Sequence, residues 1–188
     1  TTEIAPTERA SIMRVTYPET DKANFLVDAL DNGSFVKVIP EKQMIVGYTT
    51  KNSGGVPDNF KNYFVLKFDH PFKTYTAAEV KPTGEERSKD SYGHITVMEK
   101  KKELTANHAA LIVGFAPMKR GEQVNVRIAS SFISLEQAEA NLNELGNRSF
   151  DQVKNDAKAV WNKTLGAIEV SDPDLDNIRT FYSCLYRA

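Results

Sequence analysis

The hydrophobic period of this chain changes once, at Ser134, and that change constrains the fold more than any other feature. Before Ser134, short runs of β-branched and aromatic residues alternate with turn residues. In residues 9–17, Met13, Val15 and Tyr17 fall on one face and Ile12, Arg14 and Thr16 on the other, the period of two that a strand requires. Phe25-Leu26-Val27 and Phe35-Val36-Lys37-Val38 flank Asp31-Asn32-Gly33. Asn-Gly accepts the positive φ of a tight turn, so a hairpin is predicted there. Further strands are predicted over residues 44–50, 63–68, 74–80, 109–115 and 124–133, with turns at Asn52-Ser53-Gly54-Gly55, Pro82-Thr83-Gly84 and Lys119-Arg120-Gly121. Many short strands at this spacing predict an antiparallel sandwich.

After Ser134 the period is helical. Ser134 with Gln137, and Ser149 with Gln152, have the spacing of a capping box, in which each side chain satisfies a free backbone N–H of the other residue. Leu135, Ala138, Leu142 and Leu145 form one apolar stripe that stops at Gly146. Phe150, Val153, Ala157, Val160, Trp161 and Leu165 form a second, ending at Gly166. A short strand is predicted at residues 168–170, and Asp172-Pro173 opens a third helix, because proline is tolerated where the first turn needs no N–H donor. Its face of Ile178, Phe181, Tyr182, Leu185 and Tyr186 is heavily apolar to the last residues, so a partner domain is expected to cover it. The expected fold class is mainly β: an antiparallel β-sandwich followed by two to three α-helices.

Composition narrows the function. With 40% hydrophobic and 26% charged residues, the 188-residue chain suits one domain with a well-formed core and an accessory element. Its 24 basic and 25 acidic residues are interspersed, so neither a nucleic-acid partner nor a charge-based hold on membranes is expected. Lys100-Lys101-Lys102 has no interleaved aromatics and reads as a solvated turn. No apolar stretch approaches the ~20 residues that span a bilayer. The single cysteine, Cys184, excludes an internal disulfide and, beside an apolar helix face, reads as a small hydrophobe. The chain does not begin with Met, so a processed or trimmed N-terminus is expected.

Few residues carry chemistry. His70, His94 and His108 stand apart, none with a second ligand at metal-binding spacing. Glycoside hydrolysis needs two carboxylates across a sugar-sized cleft. Glu8, Asp28, Asp31, Asp58, Asp69 and Glu79 are available, but each also suits a strand end or turn, and no pair is singled out. Tyr48, Tyr63, Tyr75 and Tyr92 are candidate sugar-stacking rings. Tyr63 and Tyr75 lie in alternating patterns that favour cross-strand or core packing, and Trp161, on a helix stripe, is expected to be buried. The sequons at Asn32, Asn147 and Asn162 carry little weight, since two coincide with a predicted turn and a helix cap.

Several stretches in order resemble glycoside hydrolase family 92, the calcium-dependent exo-α-mannosidases abundant in gut Bacteroides. They are Thr7-Glu8-Arg9-Ala10-Ser11-Ile12-Met13-Arg14-Val15-Thr16-Tyr17-Pro18, with Ser11 for the usual Gly and Tyr17 for the usual Phe, and Tyr63-Phe64-Val65-Leu66-Lys67-Phe68 with His70-Pro71-Phe72. More specific is Val126-Arg127-Ile128-Ala129-Ser130-Ser131-Phe132-Ile133-Ser134, continuing through Gln137-Ala138 and Asn141-Leu142. Trp161-Asn162, then Leu165, Ile168 and Val170, and finally Arg179-Thr180-Phe181-Tyr182-Ser183-Cys184-Leu185-Tyr186-Arg187 complete the match. The resemblance implies a sandwich of the supersandwich type over residues 1–133, its later strands only, a helical linker over 134–170, and the start of an (α/α)6 catalytic domain over 171–188. It implies a protein that hydrolyses terminal α-mannosides, of α-1,2 type, on N-glycan mannose. An acid Glu, a base carboxylate and a calcium site would all lie outside this chain, leaving it inactive alone with no catalytic or metal residue of its own. This segment would brace the catalytic barrel and complete its cleft. A free-standing carbohydrate-binding module is the alternative. The compartment implied is periplasmic or extracellular, with an outer-membrane anchor as one form.

Overall fold

The computed structural model describes residues 1–81 and 95–187, so the predicted turn at Pro82-Thr83-Gly84, the candidates Tyr92 and His94, and Ala188 lie outside the described residues. Two antiparallel sheets face each other. The larger has seven strands, β1 (Thr2–Pro6), β2 (Ala10–Thr16), β11 (Gln123–Ser131), β6 (Asn62–Phe68), β5 (Met44–Thr49), β4 (Ser34–Ile39) and β9 (Glu103–Ala106), in that spatial order. The smaller has four, β3 (Asn24–Asp28), β10 (Ala109–Gly114), β7 (Thr74–Val80) and β8 (Ile95–Glu99). Because side chains alternate along each strand, the two inner faces meet. Val36, Val38, Ile45, Leu66, Val124 and Val126 of the large sheet pack on Val27, Ala77, Leu111 and Val113 of the small one. Each fully buried Val or Leu contributes about 1.5–3 kcal/mol, so this aliphatic layer is the main force holding the sheets together. Phe68 joins it with Phe25 and Phe72 edge-on, both at 5.1 Å between ring centres.

The large sheet is also buried on its outer face, by the helical segment. Helix α1 (Leu135–Asn141) and a 3-10 turn (Leu142–Leu145) cover Met44, Val46 and Val65, with Ala138 fully buried against them. Helix α2 (Phe150–Leu165) inserts Phe150 and Val153 against Ala5, Ala10, Ile12 and Ala129, where Leu145 also sits. Helix α3 (Leu175–Arg187) meets α2 and has no buried residue.

The sandwich and three helices match the expected fold class, and the strands at 9–17, 44–50, 63–68, 74–80 and 109–115 fall within a few residues of those found. Four expectations change. The Asp31-Asn32-Gly33 stretch is no hairpin: Asn32 (φ 74°) and Gly33 (φ 106°) do take positive φ, as does Leu30 (φ 64°), but β3 and β4 belong to different sheets. The three residues thus carry the chain across the sandwich. The last predicted strand ends at Ser131, not at 133, because the Ile133 N–H donates to the Ser131 hydroxyl (3.0 Å) and turns the chain out of the ladder. Residues 168–170 form no strand, since Ile168 N–H instead bonds back to the Leu165 carbonyl. Trp161 is not buried; it is 42% exposed and rests on Tyr186 of α3, ring centres 4.6 Å apart. Strands β1, β8 and β9 carry no sequence prediction.

The caps behave as their chemistry requires. Ser149 and Gln152 form the complete reciprocal pair. Ser134 accepts from Gln137 N–H, but the Gln137 amide turns away to Asn141 (3.0 Å). Lys100, Lys101 and Lys102 are all exposed in the turn between β8 and β9, as expected.

Candidate functional site

A cleft of about 790 Å³ lies between the outer face of the large sheet and the segment running from α1 to α2. Arg14, Lys67, Asp69, Asn125 and Arg127 line its floor, and Glu139, Asn147, Arg148 and Asp151 its helical wall. Strand alternation puts Arg14 of β2 and Asn125 and Arg127 of β11 on this face, opposite the core residues Met13, Val124 and Val126.

Arg14, Arg127 and Asp151 of the cleft fasten the helical segment to the sheet. The Arg127 guanidinium donates to the carbonyls of Gly146 (2.8 Å) and Arg148 (2.7 Å), in the stretch between the 3-10 turn and α2. Asn141 donates its amide to the Ser130 carbonyl (2.8 Å). Arg14 lies 4.0 Å above the Phe150 ring, pairs with Glu3 (2.8 Å) and reaches Asp151 of α2 (3.1 Å). The hydrogen bond from Arg14 holds the Glu3 carboxyl below its ordinary range, and the same contact raises the guanidinium's own pKa. At the other end, Glu144 accepts from Arg9 N–H (2.9 Å) and the Thr7 hydroxyl (2.9 Å) and pairs with the Arg9 guanidinium. Burial works to raise the Glu144 pKa; the donors from Arg9 and Thr7 outweigh it, and the carboxyl sits below the usual carboxylate range.

The candidate carboxylates are dispersed. Only Asp69 of the six lines the cleft, and its oxygens face His70 Nδ1 (2.6 Å), Asn125 N–H (2.9 Å) and the Asn125 amide (2.8 Å). Glu8 pairs with Arg9 at 3.4 Å, Asp28 with His108 at 2.6 Å, and Glu79 with Lys81 at 3.6 Å. Asp31 lies 2.7 Å from Lys51, whose hydrogen bond lowers the Asp31 pKa. Asp58 belongs to a separate shallow loop pocket of about 300 Å³. Two cleft carboxylates that sequence reasoning passed over, Glu139 and Asp151, lie on helices, where an acidic residue reads as ordinary solvated surface. Among the described residues, no group of three or more His, Cys, Asp or Glu side chains is placed to hold a metal ion. Cys184 is exposed rather than packed as a small hydrophobe.

Of the candidate rings, Tyr75 packs on the core. Tyr48 and Tyr63 are direct cross-strand partners, and Phe35, Tyr48 and Tyr63 form a row across β4, β5 and β6 with ring centres 5.7 and 5.9 Å apart. Lys61 Nζ stands 4.3 Å over Tyr48. The rings are thus engaged with one another and with a cation.

The family model described as Glycosyl hydrolase family 92 N-terminal domain matches residues 1–131, and that of the Glycosyl hydrolase family 92 catalytic domain matches residues 137–188. The chain belongs to glycosyl hydrolase family 92. No curated protein matches it. The family GH92 inverting mannosidase BT2199 from Bacteroides thetaiotaomicron is 34% identical, with a TM-score of 0.84, over 99% of this chain and 23% of that one. The family GH92 α-mannosidase BT3965 from the same organism is 26% identical, with a TM-score of 0.77, over 98% of this chain and 24% of that one. In its complex with mannoimidazole, the match is 25% identical, with a TM-score of 0.71, over 91% and 22% of the two chains. This family 92 chain therefore spans about a quarter of the length of these solved relatives. Among its described residues, no helix is long and apolar enough to cross a membrane.

Proposed function

We propose that this chain is the sandwich and inter-domain joint of a family 92 α-mannosidase, bracing a catalytic domain rather than performing chemistry itself. The observation that carries this reading is the fastening of the helical segment to the sheet: Arg127 on the Gly146 and Arg148 carbonyls, Glu144 on Thr7 and Arg9, and Phe150 buried under Arg14. Such a joint fixes the direction in which α2 and α3 leave the sandwich, and so where a following domain stands. The complete protein would then release terminal mannose, of α-1,2 linkage, from substrates such as N-glycans in the periplasm or outside the cell. Inversion would require two carboxyls ~6.5–9.5 Å apart, with room for water between them. The dispersed carboxylates of this chain suit a segment that leaves this work to another domain. Calcium would act in the complete enzyme on donors elsewhere: it takes about six to eight oxygen ligands, and Asp69, engaged with His70 and Asn125, offers too few. The alternative of a free-standing carbohydrate-binding module is disfavoured by the Phe35–Tyr48–Tyr63 row, whose rings pack on one another and on Lys61 instead of standing apart as a stacking platform.

Mannose release from α-1,2-mannobiose tests the proposal. The complete protein should turn it over and this chain alone should not. A complete protein inert toward every α-mannoside linkage would refute the reading, and saturable binding of methyl α-mannoside by this chain alone would favour the binding module.

A further inference from the structure

At the end of β11 the chain does something its surroundings do not explain. Phe132 and Ile133 are consecutive, yet both project into solvent, at 69% and 78% exposure. Alternation would have turned one of them toward the sheet, but the Ile133 N–H bond to Ser131 breaks the ladder and frees both side chains. Ser134 then caps α1 immediately, so the two residues are held between two fixed points rather than in a loose loop. Phe60 approaches from the loop before β6, its ring 5.6 Å from that of Phe132, which widens the patch. Large apolar side chains exposed together mark surfaces that another body covers.

The position of the patch identifies the occupant. Phe132 and Ile133 lie in the short stretch between the matched N-terminal domain, ending at residue 131, and the matched catalytic domain, beginning at 137. In the chain, Phe132 and Ile133 directly precede α1 and its cap Ser134, and α1 itself packs on β5, β6 and β11. We infer that Phe60, Phe132 and Ile133 are the sandwich's seat for the remainder of the catalytic domain, which docks there through an apolar helical face. This rests on the proposed membership of a complete mannosidase and adds where the two domains touch.

Thiol labelling of the complete protein tests it. In a Cys184→Ser background, Phe132→Cys and Ile133→Cys are each treated with a maleimide, alongside Glu41→Cys as an exposed reference, and the label is located by mass spectrometry. A covered position reacts only on local opening, so labelling at 132 or 133 should be at least ~100-fold slower than at 41, at any protein concentration. Labelling of both at the rate of residue 41 would overturn the inference. So would protection lost on dilution, which would assign the patch to a second copy of the chain. Unprotected sites in an enzyme that hydrolyses α-mannosides would remove the seat and leave the mannosidase reading standing, and protected sites in an inert protein would do the reverse.

Discussion

Glu144 shows how one acidic side chain can hold two elements that are distant in sequence. It faces the Thr7–Arg9 corner from the 3-10 turn, and its pKa lies below the usual carboxylate range in the folded protein. The folded state therefore gains from the ionised form. That contribution is present above the pH at which an unfolded-chain glutamate titrates, and is lost as the pH falls through the depressed folded value. Glu144→Gln should lower stability by about 1 kcal/mol near pH 7 and flatten the loss of stability on acidification, as chemical denaturation at pH 7 and pH 3 would show. An unchanged acid profile would mean the carboxylate does not act as a clamp. Nothing in the sequence marks Glu144, because its partners come from the opposite end of the chain; only the three-dimensional meeting gives it a role.

At the level of elements, β5 depends on a glycine. Gly47 is buried in mid-strand opposite Val36, and a Cβ there would lie 2.2 Å from the Phe35 carbonyl oxygen and 2.6 Å from the Phe64 ring. Backbone cannot give way as a flexible side chain can, so Gly47→Ala should cost about 3 kcal/mol, read as a fall in the denaturant midpoint. A change under 1 kcal/mol would show that the sheet can yield at this point. The elements legible in the sequence were those with a buried alternating face, such as β4 and the first part of β11, or a continuous apolar run, such as β10. The three strands without a sequence signal, β1, β8 and β9, all lie at sheet edges. β1 and β9 each bury one residue, Ala5 and Leu104, and β8 buries none, so a hydrophobic period has almost nothing to register. The Asp31–Gly33 crossing misleads for the opposite reason: its local conformation is that of a tight turn, and only the long-range pairing of β4 with β5 and β9 sends the chain elsewhere. Trp161 carried a correct helical period, but its stripe outruns the sheet that could cover it.

For the molecule as a whole, the joint should be separable from the sandwich core. Arg127→Ala removes both donors from the Gly146 and Arg148 carbonyls while leaving the inward residues Val124 and Val126 in place. The part-buried Arg148 carbonyl loses its partner, at about 1–3 kcal/mol, while the exposed Gly146 carbonyl turns to water. Limited proteolysis between residues 146 and 149 should then rise roughly tenfold, at about 1.4 kcal/mol per decade, while near-UV circular dichroism of the core is preserved. An unaltered cleavage rate would assign the fastening to Phe150 and Val153 instead.

The placement of β11 between β2 and β6 has a consequence for synthesis. Until Gln123–Ser131 has left the ribosome, the β1–β2 hairpin and the β6–β5–β4–β9 block remain two pieces with open edges. At ribosomal speeds the interval from Thr16 to Gln123 lasts on the order of ten seconds. The strand that joins them is also the one that runs into the joint, so the sandwich closes just as the helices that cover its outer face begin to emerge. The last-made strand is the keystone, and a nascent chain halted before it would carry unpaired edges exposed to its neighbours.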